Sequence, residues 1–557
     1  MANKIVIYQI LPRLYKNANS TRKENGSLAD NGCGKLKDLQ FEDFREMWRK
    51  GATHVWLTGV IRHATKTDYS KYGIPVNHPA IVKGNAGSPY AITDYYDVDP
   101  DLAVEVDRRM IEFEATVRRA HNARMGVIID FVPNHVARQY HSISSPAGVH
   151  DLGKDDKVNN GFDPQNNFYY CPGCEFRPNL DLYAGQTEPY VENPAKATGN
   201  DHFDPHPGCN DWYETVKLNY GVDYYAGGVG HFEPIPDTWK KMLDILLFWA
   251  SKGVDGVRCD MAEMVPVAFW RWVIPEVKKR YPDYLFIGEV YNPALYREFI
   301  SAGYDYLYDK VGMYDTLRDV ICGRKPASSI TGAWQATDDI CDHMLYFLEN
   351  HDEQRIASQY FAGDARKAIP ALAVSALFNK SPFMLYFGQE YGEKGMDKEG
   401  FSGQDGRTTI FDYWGVETML RKWNDALTDD ELILSEEYSK ILDFARTHRI
   451  IEGKTYDLMY CNPHSSGFNP DKQFAFLRSL PRLLMLVVAN FDSHASNIAV
   501  NIPGHAFEWL KLSEGQYDSE NVLTGEKNIP YTLSIDKPVE LSVPADGVTI
   551  LLFKKRK

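Results

Sequence analysis

No apolar run in this chain approaches the ~20 residues needed to cross a bilayer, so no membrane-spanning helix is expected. Positive charge is also in short supply: 61 lysines and arginines face 76 aspartates and glutamates, a formal net charge of -15. A polyanion would be repelled, which argues against nucleic acid or an anionic membrane as partner and leaves a neutral one. Cysteine is sparse, with 8 scattered through 557 residues. The amino-terminal stretch MANKIVIYQILPRLY is interrupted by Gln9 and Pro12 and has no small-residue cleavage site after it. It reads as a first β-strand of a cytoplasmic protein with reduced thiols. The CPGC pair, Cys171 and Cys174, with His202, His206 and Cys209 downstream, has the residue types of a zinc knuckle but no standard spacing. It reads as a Gly-Pro turn that carries two thiols.

At 557 residues, 44% hydrophobic and 25% charged, the chain is an ordinary globular protein too long for one core, so two or three domains are expected. From about residue 4 to about 450, short β-branched runs alternate with amphipathic stretches, the pattern of repeated βα units. The runs are IVIYQIL (5–11), HVWLTGV (54–60), GVIIDFV (126–132), GVDGVR (253–258), YLFIGEV (284–290), YDYLYD (304–309), HMLYFLE (343–349) and FMLYFG (383–388). Eight such strands predict a closed (β/α)8 TIM barrel. Helices are expected over 107–125, 238–252, 267–281 and 365–378, the last capped by Asp364. A polar segment rich in Asn, Pro, Gly and Tyr follows the third strand and is far longer than the usual ~2–6-residue βα loop. Past about residue 452 short apolar runs separated by turn residues read as an antiparallel β-sandwich. The expected division is therefore a barrel from 1–135 and 237–451, an inserted domain over 136–236, and a carboxyl-terminal sandwich over 452–557.

GVRCDMAEM (256–264) carries the chemistry. Arg258 and Asp260 stand two residues apart on an extended strand, so both side chains project to one face. An arginine beside a carboxylate keeps it ionised and oriented, which a nucleophile requires. Three further strand ends supply companions: Asp130, Asn134 and His135 in DFVPNH, Glu289 after the fifth strand, and His351, Asp352 and Arg355 in ENHDEQR. Singly each is an ordinary strand-end residue. In a barrel these ends converge on one mouth.

Together these motifs resemble the α-amylase family of glycoside hydrolases, and the likeness extends over barrel, insertion and sandwich. The resemblance implies that Asp260 is the nucleophile, Glu289 the general acid/base and Asp352 the carboxylate that grips the sugar hydroxyls. It makes Tyr90, within SPYAITDYYDVDP, a stacking platform, places His135 and His351 at the same sugar, likens Arg258 to the arginine that orients the nucleophile and makes Asp130 a supporting carboxylate; Arg258 and Arg355 are counted with the substrate-binding candidates. The expected function is a retaining glycosidase acting on α-linked oligosaccharides or glucans. A 4-α-glucanotransferase or maltosyltransferase with the same residues is the alternative, and a non-catalytic binding relative is ranked last because all three carboxylates stand. A retaining site needs two carboxyls ~5 Å apart in different environments. Arg258 is expected to hold Asp260 down, and the apolar Leu285, Phe286 and Ile287 to push Glu289 up.

Departures from the family are informative. Glu263 and Met264 replace a Lys-His pair that contacts sugars on the leaving-group side. Lys217 in TVKLNYG stands where calcium-binding members carry an aspartate, which would leave Asn134 without a metal, and Lys35 takes an acidic position of a second cation loop. No cofactor or metal is therefore expected to be required, calcium being the one held open. Linkage and oligomeric state are left undecided.

Overall fold

A computed structural model describes residues 4–395, 399–401, 403–463, 467–535 and 537–556. Eight parallel strands close into a barrel: β1 (Val6–Ile10), β2 (His54–Leu57), β3 (Gly126–Phe131), β4 (Gly256–Cys259), β5 (Leu285–Gly288), β6 (Tyr306–Tyr308), β7 (Met344–Phe347) and β8 (Phe383–Tyr386). Neighbours in sequence are neighbours in space, and β8 pairs back onto β1. Each strand coincides with one of the eight apolar runs. Parallel strands are buried on both faces, so they need continuous rather than alternating hydrophobicity.

The barrel interior is a packed core of Ile7, Trp56, Ile128, Ile287, Tyr308, Leu345, Phe347 and Met384. Parity then decides what stands above it. Asp130 follows inward-facing Ile128 by two residues, and Glu289 follows Ile287 by two, so both continue the inward row toward the carboxyl end. Register places Arg258 beside Asp130 on β3 and beside Ile287 on β5.

Helices form at the four expected places: α1 (Arg109–Asn122), α2 (Asp237–Ser251), which begins one residue before its expected span, α3 (Val267–Lys278) and α4 (Ile369–Leu377). A turn of 3-10 helix precedes α4, and the Asp364 side chain caps it by accepting from the Arg366 amide. Between β3 and α2 the chain forms short ribbons, His135–Ala137 with Thr215–Lys217, Tyr170–Cys171 with Ala195–Lys196, and Val222–Asp223 with Val229–Gly230. The first of these continues directly from the end of β3, which is how the insertion comes to stand at the mouth.

Beyond the barrel, a six-stranded antiparallel sheet joins β9 (Lys454–Asp457), β10 (Gln473–Leu480), β11 (Leu483–Asn490), β13 (Gly515–Asn521), β14 (Ile529–Leu533) and β16 (Gly547–Lys555). A second pair, β12 (Ser496–Val500) and β15 (Val539–Val543), completes the antiparallel structure. Strands β9, β13 and β14 had no apolar run to announce them. Two lie at the sheet's edges and all three are half exposed, so their sequences (KTYD, GQYDSEN, IPYTL) are largely polar.

Candidate active site

Arg258 is the centre of the mouth. Its side chain is 1% exposed and its guanidinium meets Asp260 at 2.6 Å, Glu289 at 2.7 Å, Asp130 at 3.4 Å and Asp352 at 4.0 Å. The rings of Trp56, Tyr90 and Tyr308 surround it with centroids 5.4, 5.4 and 5.6 Å from its carbon, and its Nε donates to the Tyr308 hydroxyl. One cation therefore anchors carboxylates arriving from β3, β4, β5 and the loop after β7.

Asp260 is held through one oxygen only. Its Oδ1 accepts from Arg258, whereas its buried Oδ2 has no hydrogen-bond partner. An unpartnered buried carboxylate oxygen is costly, and here it leaves one oxygen of Asp260 free to bond elsewhere. The next residue, Met261, adopts a left-handed backbone with φ 44°, a strained conformation for a side-chain-bearing residue. That turn aims the Met261 amide at Glu289 Oε2, 2.7 Å away. Glu289 Oε1 accepts from the Tyr291 hydroxyl at 2.5 Å.

Burial pushes the Asp260 carboxyl up to about 8, with the nearby Glu289 adding to the rise and Arg258 opposing it. This overturns the expectation that Arg258 holds Asp260 down. The guanidinium is shared between two carboxylates in a dry pocket, so its charge does not offset the burial of Asp260. Glu289 in turn faces three donors, not only the apolar wall that its preceding residues suggested.

Asp352 stands at the rim with a side chain 40% exposed. An Asx turn on Asn350, whose Oδ1 accepts from the Asp352 and Glu353 amides, bends the chain toward the mouth. Burial resists its ionisation, but His351 at 3.0 Å and Arg258 hold it below the usual carboxylate range. His351 is fixed by Gln9 at Nδ1 and meets Tyr90 at Nε2, the two rings stacking 5.3 Å apart. Burial works against its charged form, yet Asp352 carries it above its ordinary value. Asp130 is raised by burial against the pull of Arg258, and Trp56 donates to its Oδ2 at 3.0 Å. His135 is pushed down to about 3 by burial and by the positive charges of Lys217 and Lys83, so it is a neutral imidazole.

Of the residues singled out, Asp130, Tyr90, Arg258, Asp260, Glu289, His351 and Asp352 form one connected group, and His135 lies on the ribbon that leaves β3. Arg355 does not join them. It is wholly buried, its guanidinium donating to Glu349, to the Phe387 carbonyl and to Thr408, so it braces the loop after β7 and has no face for a sugar. Gln9 and Trp56 were missed because they lie within strands rather than at their ends, and Tyr308, the last residue of β6, because its run YDYLYD was read only as a strand. Their inward parity was the available signal. Tyr291, two residues past Glu289, follows the same rule.

A hard cation does not suit the place where calcium was held open. The Asn134 Oδ1, the Met264 carbonyl and Asp201 all converge there, but on the buried ammonium of Lys217, which bonds Asn134, lies 3.2 Å from the carbonyl and 2.7 Å from Asp201. Calcium takes six to eight oxygens, and an ion here would meet a fixed positive charge instead. Lys35 likewise donates to the Asp101 carbonyl. Among the described residues no group of three His, Cys, Asp or Glu side chains is arranged to hold a metal. Cys171 is buried, and Cys174 and Cys209 are exposed free thiols.

Comparison with known proteins points one way. Residues 9–449 match the family model described as alpha amylase, catalytic domain. An α-amylase, MalA, of Haloarcula japonica is 26% identical over 355 residues, covering 62% of this chain and 40% of that protein. An α-1,4-glucan:maltose-1-phosphate maltosyltransferase of Cereibacter sphaeroides is 31% identical over 204 residues, covering 34% of this chain and 31% of that one. The chain thus matches less than half the length of either relative. The crystal structure of a noncanonic maltogenic α-amylase, AmyB, from Thermotoga neapolitana superposes with a TM-score of 0.63 at 19% identity, covering 99% of both chains, a likeness of fold.

Proposed function

The chain belongs to the α-amylase family, and on that footing we propose that it is a retaining glycosidase cleaving α-glucosidic bonds of maltooligosaccharides or related glucans. Asp260 attacks the anomeric carbon, Glu289 protonates the departing oxygen, and the glycosyl-enzyme is then opened by water activated by the Glu289 carboxylate. The observation that carries this reading is the Asp260–Arg258–Glu289 unit. One carboxylate oxygen is tied to the guanidinium and the other is free, and a second carboxylate shares the same cation. Asp352 at the rim grips sugar hydroxyls. Tyr90, stacked on one side by His351, offers its ring to the sugar, and His135 and His351 bind the same ring as neutral and proton-rich partners respectively.

No metal is required, because an internal ammonium ties together the oxygens that would hold one. Eight free cysteines fit a reducing, cytoplasmic setting. No helix is long and apolar enough to cross a membrane. Transfer to a sugar hydroxyl instead of water is the alternative. Its support is the likeness to an α-1,4-glucan:maltose-1-phosphate maltosyltransferase. Incubation with pure maltopentaose decides. Shorter products alone mean hydrolysis, longer ones mean transfer, and no product at all, or equal turnover by Asp260→Asn, overturns the proposal.

A further inference from the structure

The end of β6 carries residues outside the strand-end motifs, and they touch both halves of the mouth. Tyr308, its last residue, accepts from Nε of Arg258 at 3.3 Å. The chain then makes one wide helical turn over Lys310–Tyr314, in which the Tyr314 amide bonds the Asp309 carbonyl five residues back at 3.1 Å. Asp309 fastens that turn by accepting from the Met313 amide at 2.9 Å. Turns of this width are rare and recur at functional sites. Here the turn returns Tyr314 to the barrel interior, where its ring stacks on Phe347 at 4.9 Å, and Phe347 meets Tyr308 at 5.2 Å.

Three side chains of this segment converge on one carboxylate. The Tyr314 hydroxyl donates to Glu353 Oε2 at 3.0 Å, Lys310 lies 3.3 Å from Oε1, and Arg318 lies 3.5 Å from Oε2. Glu353 is 12% exposed, so these partners stand in for most of its water. Arg318 also donates to the next residue, Gln354. The neighbouring Asp352 carboxylate is held more loosely, 3.0 Å from His351 and 4.0 Å from Arg258. Its amide shares one acceptor with the Glu353 amide, Asn350 Oδ1, which takes both at 2.9 Å, and Arg407 Nε holds its carbonyl at 2.6 Å. A shift of Glu353 is therefore passed to Asp352.

We propose that Glu353 is a positioning residue for Asp352. The segment 308–318 anchors Arg258 through Tyr308 and the Asp352 turn through Glu353, and so sets how far the third carboxylate stands from Asp260 and Glu289. The inference rests on the retaining reading above, in which Asp352 grips the sugar while the other two react. A reacting group displaced by ~1 Å can lose ~100-fold in rate. Glu353 itself touches no substrate in this scheme. Stability alone is the competing role for a carboxylate paired with two cations, and a double-mutant cycle separates the two.

Glu353→Gln keeps the shape and an acceptor for Tyr314 but releases Lys310 and Arg318, whereas Tyr314→Phe removes only the hydroxyl. The intact chain is assayed with α-maltosyl fluoride, a reactive donor that keeps slow variants measurable, and a melt confirms folding. In Glu353→Gln kcat should fall at least ~10-fold with KM within about threefold of wild type. Added to Asp352→Asn, the same change should cost less than about twofold more, because the group being positioned is gone. If Glu353→Gln does not fold, Tyr314→Phe carries the same cycle, with a first loss of at least ~3-fold. A smaller first loss, or a further loss beyond about twofold in the Asp352→Asn background, assigns Glu353 to stability and overturns the inference. Either result leaves the retaining reading standing, since wild type still turns the donor over. A wild type without turnover of donor or glucan sinks both.

Discussion

Replacing Arg258 by methionine removes one positive charge from among four carboxylates while keeping a long apolar stem inside the cage of Trp56, Tyr90 and Tyr308. Breaking a buried ion pair from one side costs about 3–5 kcal/mol, because the remaining charge stays desolvated. The protein can lower that cost by taking up protons on Asp260 and Glu289, and a protonated Asp260 is no nucleophile. Most of the loss should therefore appear in the chemical step. At 1.36 kcal/mol per decade, 3–5 kcal/mol is a fall in kcat of about two to four decades. The Michaelis constant should change little, since a side chain 1% exposed offers no surface to the sugar. Arg258→Lys carries the charge but cannot fork between Asp260 and Glu289, so it should recover only part of the rate. The assay is steady-state hydrolysis of a chromogenic maltoside, with a circular-dichroism melt to confirm folding. A kcat within tenfold of wild type, or a raised Michaelis constant at unchanged kcat, would refute the shared-cation reasoning.

Four further outcomes follow from the structure. With Asp260 pushed up to about 8 and only its ionised form able to attack, kcat/KM on maltopentaose should rise as pH climbs toward about 8, and a profile flat between pH 6 and 8 would contradict this. The same raised value means that folding stability drains away as pH climbs from the unfolded value near 4 toward 8. Asp260→Asn should then melt a few degrees higher than wild type at pH 8, and an equal or lower melting temperature there would contradict the assignment. Lys217→Met, which leaves Asn134, Asp201 and the Met264 carbonyl without their common partner, should lower the melting temperature and kcat together. Wild type should be indifferent to a chelator in both measures. A chelator-induced loss reversed by calcium would show that a metal is needed after all.

Apolar runs alone placed all eight barrel strands, because a parallel strand buried on both faces must be hydrophobic along its length, and that requirement is local. The same locality put Asp130, Arg258, Asp260 and Glu289 at the top of the barrel, since a two-residue period fixes which face each takes. Asp364 as a helix cap was equally legible from its neighbours. The partly exposed strands β9, β13 and β14 were not, because their polar sequences owe their conformation to partners far along the chain.

What no local pattern could supply was the sharing of contacts. Arg355 has the same residue type as Arg258 and stands in a motif that follows a barrel strand, yet one braces a loop through Glu349 and the other joins four carboxylates. Only closure of the barrel decides which carboxylate each guanidinium meets. The elevated Asp260 carboxyl has the same origin, for its burial and its nearness to Glu289 depend on β4 and β5 lying side by side. Residue order thus determined the fold and which groups reach the mouth. Tertiary packing determined their charges, because electrostatic energies depend on distances and desolvation that exist only once the barrel has closed.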